Sequence, residues 1–98
     1  MSNWVLQDDA RPATIFRLMK GTAKTIGRAA DADFILDAPL VSRVHCKLTA
    51  DNSGQLVVED LDSQNGTFVN GKKVDRATLK AGDRLMVGRV EFAVERAV

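Results

Sequence analysis

Apolar and polar residues alternate in short segments along this chain. No helical run of about eleven or more residues places apolar side chains at i, i+3, i+4 and i+7. Val44, Cys46 and Leu48 alternate with His45, Lys47 and Thr49, and Val90, Phe92 and Val94 alternate with Glu91, Ala93 and Glu95. Leu56-Val57-Val58 and Leu85-Met86-Val87 are short apolar runs suited to strands buried on both faces. Turn signals separate them: Asp51-Asn52-Ser53-Gly54, Asn70-Gly71 and Ala81-Gly82-Asp83, where Asn and Gly tolerate the positive φ of tight turns. Many short strands between turns predict an all-β sandwich or barrel.

Residues 27–43 break the rhythm, with long loops around one short strand, Phe34-Ile35-Leu36. Leu61-Asp62-Ser63-Gln64-Asn65-Gly66 forms a further polar loop. Long ordered loops on a small β scaffold are where binding chemistry usually sits. Residues 1–13 read as a tail or an edge strand, and 14–98 as the folded domain.

With 98 residues, the chain is one small domain. Size scaling has it burying about 64% of its unfolded surface, enough for an independent fold with a thin core. Fourteen Lys+Arg against thirteen Asp+Glu leave a formal charge of +1, which argues against the basic stripe of a nucleic-acid binder. The first residues have neither a basic region nor an apolar region of the signal-peptide kind, and no stretch nears the ~20 apolar residues of a membrane helix. The expectation is a cytoplasmic monomer that touches neither membrane nor nucleic acid and uses no cofactor. A lone cysteine makes no internal disulfide, and His45 with Cys46 makes no four-ligand zinc site.

Three catalytic motifs fail on inspection. Gly66-x-x-x-x-Gly71-Lys72 imitates a P-loop, but Lys73 stands where the magnesium-binding Ser or Thr belongs, and Asn70-Gly71 reads as a turn between strands. His45 and Cys46 are neighbours in an alternating segment, so they point to opposite faces. Ser42 with His45 lacks the Gly-x-Ser-x-Gly elbow and an evident third member, which leaves a small hydrolase as the weakest reading. Asn65-Gly66-Thr67 is also a glycosylation sequon, of little meaning without a secretory signal.

What remains is a set of polar and glycine residues at loop ends: Gly27-Arg28, Ser42-Arg43-Val44-His45, Asn65-Gly66-Thr67 and Asn70-Gly71. Each alone has a plain explanation in turns or solvated charge. In this order and spacing they resemble the forkhead-associated (FHA) domain family, from about Thr25 to the closing Leu79-Lys80-Ala81-Gly82-Asp83 and Val87-Gly88. The resemblance implies a β-sandwich of about eleven strands whose loops at one end bind phosphothreonine peptides, downstream of Ser/Thr kinases. It implies no enzymatic activity. By resemblance, Arg28 supplies the main charged contact to phosphate, Ser42 donates its hydroxyl, and Arg43 adds a further contact. Asn65 holds the peptide backbone. Gly27, His45, Gly66 and Thr67 brace the loops, and Asn70-Gly71 sets the hairpin that holds Asn65. Gln64 departs from the pattern, since the family often has Thr or Ser there. Leu40, two before Ser42, stands where the family can select the residue three after the phosphothreonine, which implies an aliphatic one there; simple loop packing of Leu40 beside Pro39 is the open alternative. The alternative that stays open is phosphate-independent assembly through the sandwich face.

Overall fold

The computed structural model describes residues 3–97, which form eleven strands and, among the described residues, no helix. In chain order these are β1 (Asn3–Asp8), β2 (Ile15–Leu18), β3 (Thr22–Gly27), β4 (Phe34–Ile35), β5 (Cys46–Ala50), β6 (Leu56–Asp60), β7 (Thr67–Val69), β8 (Lys72–Val74), β9 (Arg76–Leu79), β10 (Arg84–Val87) and β11 (Val90–Ala97). They assemble as two sheets, one in the order β2-β1-β11-β10-β7-β8 and the other β4-β3-β5-β6-β9. All pairings are antiparallel except β3 with β4. The all-β sandwich expected from alternation is the fold observed.

The inward positions of both sheets make one core. Trp4, Leu6, Leu18, Leu85, Phe92 and Val94 come from the first sheet; Ile26, Cys46, Leu48, Leu56, Val58 and Leu79 come from the second. Burying a side chain of this size contributes about 1.5–3 kcal/mol, so this layer holds the sheets together. Phe16 on β2 stacks on Phe34 of β4 at 4.5 Å between ring centroids, joining the two sheets at one side. The Trp4 indole N–H donates to the Gly54 carbonyl at 3.1 Å, so its polar tip is satisfied inside the core.

Three details differ from the sequence reading. Residues 3–8 are neither tail nor edge: β1 lies between β2 and β11, and its Trp4 and Leu6 are core. Pairing on both sides outweighs the shortness of its apolar pattern. The runs at 56–58 and 85–87 bury alternate residues, leaving Val57 and Met86 half-buried, because each sheet has a core on one face only. Finally, β5 starts at Cys46, leaving Val44 exposed on the connection and His45 fully buried beside Cys46. The alternation stops where the loop begins.

Turn chemistry follows the sequence closely. Asn70 (φ 51°) and Gly71 (φ 84°) join β7 to β8 with the paired positive φ of a type I′ hairpin.

Candidate functional site

At one end of the sandwich the β3–β4, β4–β5 and β6–β7 connections enclose an open cleft of about 830 Å³. Arg28, Ser42, Arg43, Gln64 and Asn65 all line it. Residues far apart in sequence meet here because hydrogen bonds stitch the connections together. Backbone N–H groups of Arg28 and Ala29 donate to the carbonyls of Ser42 and Arg43, both at 3.0 Å. The His45 N–H donates to the Ile26 carbonyl at 2.8 Å. Gly27 lies at this seam, where any Cβ would overlap the Arg43 carbonyl. Glycine is required there by close approach of two backbones.

His45 is the central brace. Its Nδ1 accepts the Ser42 backbone N–H at 3.0 Å, and its Nε2 lies 2.8 Å from the Gly66 carbonyl. A carbonyl can only accept and an amide N–H can only donate, so the ring is the Nε2–H tautomer. It thereby ties the loop carrying Ser42 to the loop carrying Asn65. It holds the backbone of Ser42, not the hydroxyl, so it is not placed as a base for that hydroxyl.

The Ser42 Oγ accepts the Gln64 backbone N–H at 2.9 Å, which leaves the hydroxyl proton to donate elsewhere. Arg28 Nε donates to the Val41 carbonyl at 3.1 Å. Among the described residues neither of its Nη groups has a partner, so the guanidinium is anchored at one corner with its fork unspent. Asn65 Nδ2 donates to the Leu40 carbonyl at 3.1 Å. Gln64 is exposed at the rim and contributes its backbone to the network.

Asn70 and Gly71 do not reach this site. They lie at the other end of β7 from Asn65, and Asn70 bonds instead to Asp83 and to the Arg84 N–H. The hairpin anchors β7 to β10, so it does not hold Asn65 directly.

Sequence reasoning missed a second brace. Asp60 Oδ1 accepts the hydroxyls of Ser63 at 2.5 Å and buried Thr67 at 2.7 Å, and Oδ2 accepts the Ser63 N–H at 3.1 Å. Ser63 Oγ in turn accepts the Gly66 N–H at 3.0 Å. Partial burial pushes the Asp60 carboxyl up, but these donors outweigh it and hold the group below the usual carboxylate range. The Asp60-x-x-Ser63 spacing, an acceptor capping a turn, was the available signal.

The rim is also strained. Leu40 (φ 70°) and Asp62 (φ 58°), which both line the cleft, occupy left-handed conformations. For a bulky residue this is an outlier that costs about 1–3 kcal/mol, sustained only where the surroundings impose it. For Leu40 the surroundings are Asn65 on one side and Gly88 on the other, where a Cβ would press to 2.9 Å from the Leu40 oxygen. Asp37 and Asp62 bring two acidic groups to the cleft beside Arg28 and Arg43. Cys46 lies beneath in the core, and burial pushes its thiol up to about 12, far from reactive.

The FHA domain family matches residues 24–88. The chain belongs to that family. It is 38% identical over 72 residues to the glycogen accumulation regulator GarA of Mycolicibacterium smegmatis, a match covering 74% of this chain and 45% of that protein. It is also 38% identical over 82 residues to the ABC transporter ATP-binding/permease protein Rv1747 of Mycobacterium tuberculosis, covering 84% of this chain and 9% of that one. The chain thus spans less than half the length of either relative. Among solved structures, the FHA domain of the CT664 protein from Chlamydia trachomatis superposes with a TM-score of 0.91 at 29% identity, covering 99% of this chain and all of that one. EmbR of Mycobacterium tuberculosis, solved with a low-affinity phosphopeptide, superposes at 0.89 with 30% identity, covering all of this chain and 25% of that chain. The family match leaves out β1, β2 and β11, which the structure nonetheless builds side by side into the sandwich.

Proposed function

We propose that the cleft binds threonine-phosphorylated segments of partner proteins, so that the chain acts as a recognition module in Ser/Thr kinase signalling. The observation that carries this reading is the convergence of unspent donors. The Arg28 Nη groups and the Ser42 hydroxyl proton have no partner among the described residues yet line one cleft with Arg43. A phosphate group carries about −1.5 to −2 charges and three strong acceptor oxygens, and suits such a set. Asn65, anchored through Nδ2, keeps its Oδ1 to accept an N–H from the peptide backbone, which fixes register. Gly27, His45, Gly66, Thr67 and Asp60 hold these groups in place before any ligand arrives. Prior ordering of this kind lowers the entropy lost on binding. The phosphopeptide bound to EmbR is in keeping with this reading.

Recognition, not turnover, is the chemistry on offer. Both ring nitrogens of His45 are committed to backbone groups, so the Ser42–His45 pair has no base aimed at the hydroxyl.

Calorimetry with matched peptides tests the proposal. The phosphothreonine peptide binds, and its unphosphorylated form does not. The phosphoserine form is weaker by more than about fourfold, the worth of one buried methyl at about 0.8 kcal/mol. Restricted χ1 of the β-branched residue adds to the ratio. An unphosphorylated peptide binding as tightly as the phosphorylated one would overturn the proposal in favour of phosphate-independent assembly.

A further inference from the structure

Two Asn-Gly pairs stand in this chain, Asn65-Gly66 at the cleft and Asn70-Gly71 at the hairpin tip. An Asn-Gly pair is open to spontaneous loss of the side-chain amide. Glycine has no Cβ to shield its nitrogen, and its backbone is free to fold back on the preceding side chain. The deprotonated glycine nitrogen attacks the asparagine Cγ, so that an N–Cγ bond forms and the Cγ–Nδ2 bond breaks. The amide nitrogen takes a proton from solvent and leaves as ammonia. Water then opens the cyclic imide at either carbonyl, giving aspartate or isoaspartate. Ring closure needs the reacting atoms about 3–3.5 Å apart and aligned, so a contact that holds either one elsewhere slows it.

The fold holds the two pairs differently. At the cleft both reacting groups are held. Asn65 Nδ2 donates to the Leu40 carbonyl at 3.1 Å, the Gly66 N–H donates to Ser63 Oγ at 3.0 Å, and the Gly66 carbonyl lies 2.8 Å from His45 Nε2. Asp60 Oδ1 takes the Ser63 hydroxyl proton at 2.5 Å, which leaves the Oγ lone pairs for the Gly66 N–H. At the hairpin tip only the side chain is held: Asn70 Nδ2 donates to Asp83 Oδ1 at 3.1 Å, and its Oδ1 accepts the Arg84 N–H at 2.9 Å. The Gly71 N–H has no partner among the described residues.

We infer that Asp60 and Ser63 guard the Asn65–Gly66 bond against this ring closure and so keep Asn65 an amide. Conversion there would undo the cleft. An aspartate at 65 has no donor for the Leu40 carbonyl, and it adds a negative charge to the recess that Arg28 and Ser42 line. Isoaspartate also lengthens the backbone next to the Gly66 carbonyl that His45 holds. The guard rests on these hydrogen bonds, and only its benefit rests on the phosphothreonine reading.

The test ages the intact wild type, Ser63→Ala and Ser63→Thr in mildly alkaline buffer and follows conversion at Asn65 and Asn70 by peptide mass spectrometry. Asn70 is the internal reference, because a general loosening of the fold speeds both sites. Ser63→Ala should raise the ratio of Asn65 to Asn70 conversion about tenfold, the rate equivalent of about 1.4 kcal/mol for one lost hydrogen bond. Ser63→Thr keeps the hydroxyl and should hold the ratio within about twofold of wild type. A ratio unchanged in Ser63→Ala, or raised as far in Ser63→Thr, would overturn the guard. Aged Ser63→Ala should also lose binding to a phosphothreonine peptide in step with Asn65 conversion. If the ratio shifts but the converted protein still binds, the guard stands and Asn65 leaves the proposed ligand contacts. If fresh wild type does not bind the peptide, the cleft reading fails while the ratio still decides the guard.

Discussion

Leu48, in the middle of β5, and Leu40, on the connection before it, carry the same side chain in opposite circumstances. Leu48 is fully buried in a regular strand, one of many alternating positions that fill the core. Leu40 is 42% exposed on a left-handed backbone, its carbonyl held by Asn65 and set so close to position 88 that a Cβ there would crowd it. The interior is built chiefly by burial, where apolar substitutions that keep the volume are tolerated best. The rim is built by hydrogen bonds and close backbone contacts that work against local preference. Stability is concentrated in the first region and recognition in the second, and each should be separable from the other by mutation.

The sharpest break in that comparison is a crossed pair of variants. Arg28→Ala should cost about 1.5–3 kcal/mol for each charge-assisted hydrogen bond it removes, read as a large loss of calorimetric signal, since the proposed phosphate site loses its main charged donor. Its melting temperature should stay within about 3 °C of wild type, because Arg28 is exposed and covers no core. Leu48→Ala should do the reverse, losing about 2–5 kcal/mol of stability to a core cavity while the folded fraction binds normally. An Arg28→Ala domain that binds within threefold of wild type would remove Arg28 from the site.

Next in size is Gly27→Ala, which tests where the two regions join. Its Cβ has no room beside the Arg43 carbonyl, so β3 and the Ser42–Arg43 connection must part. Overpacking of this kind costs about 3 kcal/mol, which in a domain of this length lowers the melting temperature by roughly 10–20 °C. Gly71→Ala is the control, because nothing lies within 4 Å of its added Cβ and only the φ of 84° penalises it. Thermal unfolding followed by circular dichroism should rank Gly27→Ala well below Gly71→Ala.

The same division explains what the sequence could disclose. Period-two alternation reports a residue's distance from a core, so most strands and the sandwich class were legible from Cys46, Leu48, Phe92 and Val94 alone. The strand β1 was misjudged because two core residues, Trp4 and Leu6, make too short a pattern to show pairing on both sides. The cleft has no period. Arg28, Ser42, Arg43, Gln64 and Asn65 were legible only as an ordered motif, and the structure does bring all five to one cleft. Asp60 belongs to no such motif and its role is a matter of acceptor geometry, which emerges only once Ser63 and Thr67 are placed around it. Asn70-Gly71 was legible as a hairpin, but β7 separates it from Asn65, and its ties to Asp83 and Arg84 come from the β7–β10 pairing, which no local pattern announces.

A smaller effect separates the Asp60 brace from the core it adjoins. The folded-state carboxyl titrates below its ordinary value of 3.8, so its stabilising contribution is complete above about pH 4 and is lost as pH falls through the depressed value. Asp60→Asn keeps Oδ1 as the acceptor for both hydroxyls but sets an amide NH2 against the Ser63 N–H and loses the charge, which at neutral pH should cost about 1–2 kcal/mol. Wild type and variant should therefore differ at pH 7 and converge towards pH 2 in urea unfolding. A constant difference across that range would mean that the ionised carboxylate contributes nothing beyond its shape.

The smallest expected effect concerns Gln64, at the outermost point of the rim. Its backbone N–H is already held by Ser42 Oγ, and its side chain makes no hydrogen bond among the described residues. Substitution thus leaves the brace untouched and changes only what the rim offers to a ligand. Gln64→Thr introduces a short hydroxyl donor in the place where the family often has one. A hydrogen bond to a charged group contributes about 1.5–3 kcal/mol when the acceptor is otherwise unsatisfied. In the proposed pocket the phosphate would already meet Arg28, Ser42 and Arg43, so the gain should be a fraction of that, at most about tenfold in affinity, or about 1.4 kcal/mol. Gln64→Ala should bind within twofold of wild type, because a solvated amide has little to lose. Titration of one phosphothreonine peptide against the three proteins measures both differences. A large loss in both variants would show that the Gln64 amide itself contacts the ligand, which would extend the recognising surface from the loop ends to the rim.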